Sequence, residues 1–219
     1  MLIIGAKGFA KEVLETFYHK NDLENVVFYD DITLNAPDFL FKKFKILHSK
    51  QEAQEYFQTT DSSFTIGIGK PILRKQIKDT FEALGGNLSS TISPLAQIGN
   101  FDVSIGAGNN ILQGAIISNG VRLGKGCIVY YNVIVTHDVL IGDFVEISPN
   151  ATLLGRCEIG SFSHIGSGAV ILPDVSIGKN VLVAAGSIVT KNVPDNCMVA
   201  GNPASFKKEI APLDFYYEG

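Results

Sequence analysis

The chain has 219 residues, of which 46% are apolar and 18% charged, and its formal net charge is −4. That is the composition of a globular protein with one large or two modest domains, and an acidic balance without a basic stripe excludes a nucleic-acid partner. No run of residues approaches the apolar length that spans a bilayer, so no membrane span is expected. Leu2-Ile3-Ile4 reads as a short buried strand running into the glycine turn Gly5-Ala6-Lys7-Gly8-Phe9-Ala10. It lacks the basic start, longer apolar run and cleavage site of a signal peptide, which points to a cytoplasmic protein. Val13, Leu14 and Phe17 then mark one face of a helix. A second strand over Val26 to Tyr29 ends at Asp30-Asp31, a helix is expected near Ser49 to Phe57, and a third strand runs from Phe64 to Ile68. Gly69-Lys70-Pro71 turns the chain into a helix carrying Ile72, Ile77 and Leu84.

Strands alternating with helices mean a small parallel sheet, so residues 1–88 are expected to form an α/β domain, half of a doubly wound (half-Rossmann-like) fold. Glycines in the turns around Lys7-Gly8-Phe9 and Gly69-Lys70 are needed by tight strand-to-helix geometry alone. They also stand where such sheets bind ligands, at strand carboxyl ends beside helix N-termini. Asp30 and Asp31, at the end of the second strand, are suited to accept hydrogen bonds from sugar hydroxyls or a base. A nucleotide-like ligand is therefore expected in this domain.

From Ile105 to Val189 the grammar changes. Stepping by six meets fifteen consecutive aliphatic residues, among them Ile111, Ile117, Leu123, Val129, Val135 and Ile141. Neither a helix, with period 3.6, nor a strand, with period two, explains a strict period of six. Two residues before each lies a mostly small or β-branched partner such as Ala115, Val121, Cys127, Val133 or Cys157. Two of the three cysteines are thus expected as compact core filler. Glycines at 106, 124, 142, 160 and 178 recur every 18 residues, so three hexapeptides make one coil of a triangular prism. Two corner columns, Gly114-Asn132-Asn150-Gly168-Gly186 and Gly120-Asp138-Arg156-Asp174-Asn192, are rich in residues that tolerate positive φ, with Arg156 the exception. Residues 89–192 are expected as a parallel β-helix and 193–219 as a C-terminal loop and tail. Ile92 and Ile98 are displaced by one residue from the later register, which implies an insertion near Asn100 to Val103.

Four histidines are candidates for chemistry. His19 and His48 lie on polar stretches and His164 on an outward strand position. His137, beside Asp138, lies at a corner pointing away from the core. A histidine there is ordinarily solvated surface, but a neighbouring carboxylate can orient an imidazole that accepts a proton near neutral pH. Eighteen residues on, Gly155 would leave an empty space above the imidazole for a thin acyl donor. Single histidines on separate sides of a prism do not build a metal site, and none is expected. No Gly-x-Ser-x-Gly motif suggests a covalent intermediate.

Taken together, Lys7-Gly8-Phe9, Asp30-Asp31, Thr136-His137-Asp138, Ile171-Leu172-Pro173 and the closing Gly201-Asn202-Pro203-Ala204 resemble bacterial nucleotide-aminosugar N-acetyltransferases. The related sialic acid O-acetyltransferases belong to the same NeuD/PglD-type family of hexapeptide-repeat acyltransferases. The resemblance covers essentially the whole chain. It implies a left-handed β-helix, a homotrimer with active sites between neighbouring subunits, and acetyl-CoA as co-substrate without a metal. It also implies that His137 is the general base, Asp138 its carboxylate partner, and Lys7, Gly8, Phe9, Asp30 and Asp31 the holders of the sugar nucleotide, with Gly69 and Lys70 beside them. Ser167 and Ala185 would line the acetyl-CoA groove, together with Gly155. Some members carry a second histidine, nine residues after the base, that touches acetyl-CoA; here that position is Glu146, and His164 stacks one coil above it. The expected reaction is N-acetylation of a nucleotide-linked amino sugar, such as a 4-amino-4,6-dideoxy sugar, for surface polysaccharide or glycan synthesis. The alternatives are O-acetylation of a sugar hydroxyl, as on sialic acid, and a non-catalytic nucleotide-sugar-binding scaffold. An acyltransferase fed by an acyl-carrier protein should show a basic patch for that carrier, and the sequence shows none.

Overall fold

The computed structural model describes residues 1–214. The first sheet holds β1 (Leu2–Ile4), β2 (Val27–Tyr29), β3 (Phe39–Leu40), β4 (Phe44–Leu47), β5 (Ser63–Ile66) and β6 (Asn87–Leu88) in the order β3-β4-β2-β1-β5-β6. All pairings are parallel except β3 with β4. Three strands are expected from the sequence and six are present: β4, in Phe44-Lys45-Ile46-Leu47, extends the sheet beyond β2, and β6 extends it beyond β5.

Alternate residues of a strand face opposite sides of the sheet, and here both sides are covered. Leu2 and Ile4 pack with Phe57, Phe64 and Phe81, under α2 (Lys50–Thr59) and α3 (Pro71–Ala83). Ile3 packs with Val13 and Phe17 of α1 (Gly8–His19) on the other side. The starts of α2 and α3 are written locally. Ser49 Oγ accepts the Glu52 N–H while Glu52 reaches back to the His48 N–H, a variant of the capping box, and Pro71 occupies the first turn of α3.

The second unit is a prism of two-residue strands on three faces. The first face stacks pairs from Thr91–Ile92 through Asn110–Ile111, Ile128–Val129, Glu146–Ile147 and His164–Ile165 to Leu182–Val183. The second face runs from Gln97–Ile98 to Ile188–Val189, and the third from Ser104–Ile105 to Ser176–Ile177. Every ladder is parallel, and the inward aliphatic columns merge into one core in which Cys127 and Cys157 are fully buried. Ile92 pairs with Ile111 and Ile98 with Ile117, whereas Ile105 pairs with Leu123. The extra residue falls between Ile98 and Ile105, where Asp102 has φ of 52°.

The two expected corner columns have positive φ from Gly114 to Gly186 and from Gly120 to Asp174. Arg156, at φ 61°, sends its guanidinium to both carboxylate oxygens of Asp174, one coil on. A third column, Gly108-Gly126-Phe144-Phe162-Asn180, was not apparent from residue type. Phe144 and Phe162 adopt the left-handed conformation with their rings stacked 5.4 Å apart, and that contact offsets part of the steric cost.

The stretch expected as loop and tail contains a hairpin. Its strand Cys197–Gly201 continues the first face through pairing with Leu182–Val183, and Ala204–Glu209 pairs antiparallel with it. The α/β domain sits against the first face. Asn110 accepts from Thr65 and Thr91 and donates to the Ile66 carbonyl, joining the two units in the buried interior.

Candidate active site

At the carboxyl ends of β1, β2 and β5 lies a cleft of about 270 Å³, bordered by Lys7, Asp30, Asp31, Thr33, Lys50 and the Gly67-Ile68 turn. A Cβ built at Gly8 would meet nothing, so the start of α1 opens freely beside it. The two aspartates divide their work. Asp30 accepts from the backbone of Ile32 and Thr33 and from the Thr33 hydroxyl. Burial pushes its carboxyl up, but the Thr33 and Ile32 hydrogen bonds and the charge of Lys7 reverse this and leave it below the usual range. Asp31 accepts only the Tyr29 hydroxyl at 2.8 Å among the bonds that define this loop, and it is exposed toward the cleft.

Three expected cleft residues stand elsewhere. Phe9 turns to Tyr130 of the β-helix, with ring centroids 5.2 Å apart. The Gly69 carbonyl accepts from Arg74, and exposed Lys70 precedes α3. Phe9 and Gly69 stand at the junction between the units, next to Tyr130 and Glu146 respectively.

The second element is the corner between the second and third faces. His137 Nδ1 lies 2.8 Å from Asp138 Oδ2. A carboxylate accepts only, so Nδ1 carries the proton and Nε2 presents its lone pair. Positive φ at Asp138, 60°, brings its side chain back beside the imidazole. Gly155 corrects the expectation of an empty channel: a Cβ there would lie 2.6 Å from His137 Cε1 and 2.7 Å from Nε2. The space is filled by the His137 imidazole itself. Gly155 is buried beneath the imidazole and serves its seating. Just above, Arg156 holds the Asp174 carboxyl below its usual range.

The third element is a groove of about 400 Å³ at the corner between the first and second faces. It gathers Glu146, His164, Ser167 and Ala185, all expected at the acyl-donor site, with Tyr130 and Ser148. His164 Nε2 lies 2.8 Å from Ser148 Oγ and 3.7 Å from Glu146 Oε1. The other Glu146 oxygen faces Arg74 Nη1 at 3.6 Å. Arg74, only 1% exposed, donates to the carbonyls of Gly69, Gly126, Phe144 and Val145. Burial lowers its pKa to about 10 against the opposing pull of Cys127 and Glu146, while burial pushes the Cys127 thiol up to about 12. Sequence reading did not reach Arg74 or Ser148.

The His137 corner and the groove occupy opposite edges of the second face, so one chain does not bring them together. Tyr130, Tyr131 and Leu154 on this part of the prism are partly buried, Tyr130 against Phe9. The second face carries instead the outward column Ile116, Ile134, Thr152, Val170 and Ile188, of which Ile116 and Ile134 are each 38% exposed. Among the described residues no three metal-ligating side chains converge.

Residues 1–81 match the PglD N-terminal domain, and residues 138–172 and 156–191 match the bacterial transferase hexapeptide model of six repeats. The acetyltransferase domain of PglB from Neisseria gonorrhoeae, solved alone and with acetyl coenzyme A, is 31% identical. It superposes with a TM-score of 0.83 over 94% of this chain and 98% of that one. The chain belongs to the PglD/NeuD-type sugar acetyltransferase family. Membership fixes the prism as a left-handed β-helix and makes the protein an acetyltransferase. Two further PglD/NeuD-type structures are similar. WeeI from Acinetobacter baumannii is 29% identical, with a TM-score of 0.83 over 94% of this chain and 98% of that one. PerB from Caulobacter crescentus, solved with CoA and GDP-perosamine, is 27% identical, with a TM-score of 0.82 over 94% and 96%. No curated protein sequence matches the chain significantly.

Proposed function

We propose that this protein transfers the acetyl group of acetyl-CoA to the amine of a nucleotide-linked amino sugar, of the 4-amino-4,6-dideoxy class, with His137 as general base. The observation that carries this reading is the His137–Asp138 pair packed against Gly155, in which Nδ1 is engaged by the carboxylate and Nε2 keeps the lone pair that can accept a proton. The amine nitrogen attacks the thioester carbonyl, the C–N bond forms and Nε2 takes the proton from nitrogen. The carbonyl then re-forms, the C–S bond breaks, and the imidazolium returns the proton to the departing sulfur. Asp138 holds the imidazole's orientation and favours its charged form. The sugar nucleotide occupies the cleft of Lys7, Asp30 and Asp31, and acetyl-CoA lies in the groove of Ser167 and Ala185. The reaction belongs in the cytoplasm, where acetyl-CoA is made.

A homotrimer completes the site. Packing the second faces of three chains around an axis buries the Ile116 and Ile134 column. It also sets the His137 corner of one chain against the groove of the next, joining a base and an acyl-donor site that one chain keeps apart. PerB, crystallised with CoA and GDP-perosamine, supports the pairing of these two ligand types. The test is a panel of nucleotide-linked amino sugars supplied with acetyl-CoA and scored by free thiol release. Release that depends on the amine and on His137 is expected. Acetylation of a hydroxyl in its place, or no turnover with any amine, would overturn the reading.

A further inference from the structure

At the groove corner, four polar side chains form a connected line that the steps above leave unused: Arg74, Glu146, His164 and Ser148. The line begins in the buried interior, where four backbone carbonyls fix the Arg74 guanidinium and Glu146 is its counter-ion. It ends at the groove wall with Ser148, which is only 6% exposed. The direction of the last hydrogen bond follows from charge. His164 Nε2 faces two oxygens, Glu146 Oε1 at 3.7 Å and Ser148 Oγ at 2.8 Å. The carboxylate favours the tautomer with its proton on Nε2, which then donates to Ser148 Oγ. With its oxygen accepting from His164, the Ser148 hydroxyl has its own proton left to donate, and the side chain borders the groove.

We propose that Ser148 is a catalytic hydrogen-bond donor to the carbonyl oxygen of the acyl donor, and that His164, Glu146 and Arg74 are positioning residues that aim its hydroxyl. The inference rests on the reading that acetyl-CoA lies in this groove. It assigns the oxyanion partner to a side chain, one that carries no charge and transfers no proton. As negative charge collects on the carbonyl oxygen during attack, the Ser148 O–H shortens its contact, which favours the transition state over the bound thioester. Ser167, Ala184 and Ala185 leave room beside it for a narrow chain.

Coenzyme A without an acyl group lacks the carbonyl, so it separates the two assignments. Ser148→Ala should lower kcat by about 10²-fold, the loss typical of one oxyanion donor, while calorimetry shows CoA binding unchanged. Ser148→Thr, which restores a hydroxyl, should recover part of the loss. His164→Gln, which keeps an N–H near Nε2, should fall less than His164→Leu, and Glu146→Gln should reduce kcat more than it alters KM for acetyl-CoA. Ala185→Trp fills the groove and should abolish CoA binding. If it does, and Ser148→Ala turns over at the wild-type rate, the Ser148 proposal is wrong and the groove assignment stands. If Ala185→Trp binds CoA normally, the acyl donor lies elsewhere and both fall.

Discussion

In the β-helix the environment of a residue recurs every 18 positions, whereas in the α/β domain no position has a counterpart. The difference separates folding from chemistry. A corner side chain such as His137 stands outside the aliphatic columns and can change without disturbing them, because the same corner is built from other residues in every coil. In the α/β domain and at its junction with the β-helix, one side chain often serves both ends. Asp30 folds its own loop with three hydrogen bonds while lining the cleft, and Arg74 joins the two units while holding Glu146 at the groove.

The sharpest test of that contrast is His137→Ala, which should lower kcat by about 10²–10⁴-fold, the usual contribution of a positioned base. Its melting temperature should stay near that of the wild type; a large drop would break the comparison. Arg74→Met reverses the pattern. It strips a buried counter-ion from Glu146 and the donors from four carbonyls, so denaturant unfolding should show a loss of about 3–5 kcal/mol, as for other broken buried pairs.

Gly155→Ala lies between these. Its methyl would sit 2.6 Å from the His137 ring, a side chain that can swing aside, so kcat should fall at nearly unchanged stability. Wild-type turnover would mean that the seat under the imidazole is unimportant. In the cleft, Asp31→Ala should weaken sugar-nucleotide binding by about 1.5–3 kcal/mol, the scale of a hydrogen bond to a charged group, and leave CoA binding alone. Equal losses for both ligands in calorimetry would erase the division between the units.

The smallest effect is a pH dependence. Asp30's carboxyl is depressed on folding, so its contribution is present above the unfolded carboxylate value and lost as pH falls through the folded one. Melting temperatures of wild type and Asp30→Asn should therefore converge as the solution is acidified below pH about 4, where the unfolded aspartate titrates. A constant gap would show that Asp30 gains nothing from its loop bonds.

The same contrast governs what the sequence discloses. The period of six exposes the prism, its insertion and two corner columns, because each repeat confirms the last. The third column is hidden by Phe144 and Phe162, whose residue type does not announce positive φ. Short unrepeated strands such as β3 and β6 leave too little pattern to read, and β4 interrupts its apolar residues with Lys45. The His137–Asp138 pair is legible because the partners are adjacent in sequence. Arg74 is not: the carbonyls it caps in the β-helix lie 52 to 71 residues away, and nothing local marks it. Ser148 is equally silent, since its meaning depends on His164 in the next coil.

The hairpin that closes the first face has a consequence for growth of the molecule. A parallel β-helix ends in open backbone donors and acceptors, ready to template another coil from a second molecule. Here the strand Cys197–Gly201 takes up that edge, and its antiparallel partner, Ala204–Glu209, faces outward with Lys207, Lys208 and Glu209 exposed. Charged side chains on a terminal strand discourage further pairing. On this face the hairpin therefore disfavours lengthening of the prism into a fibre beyond its last coil.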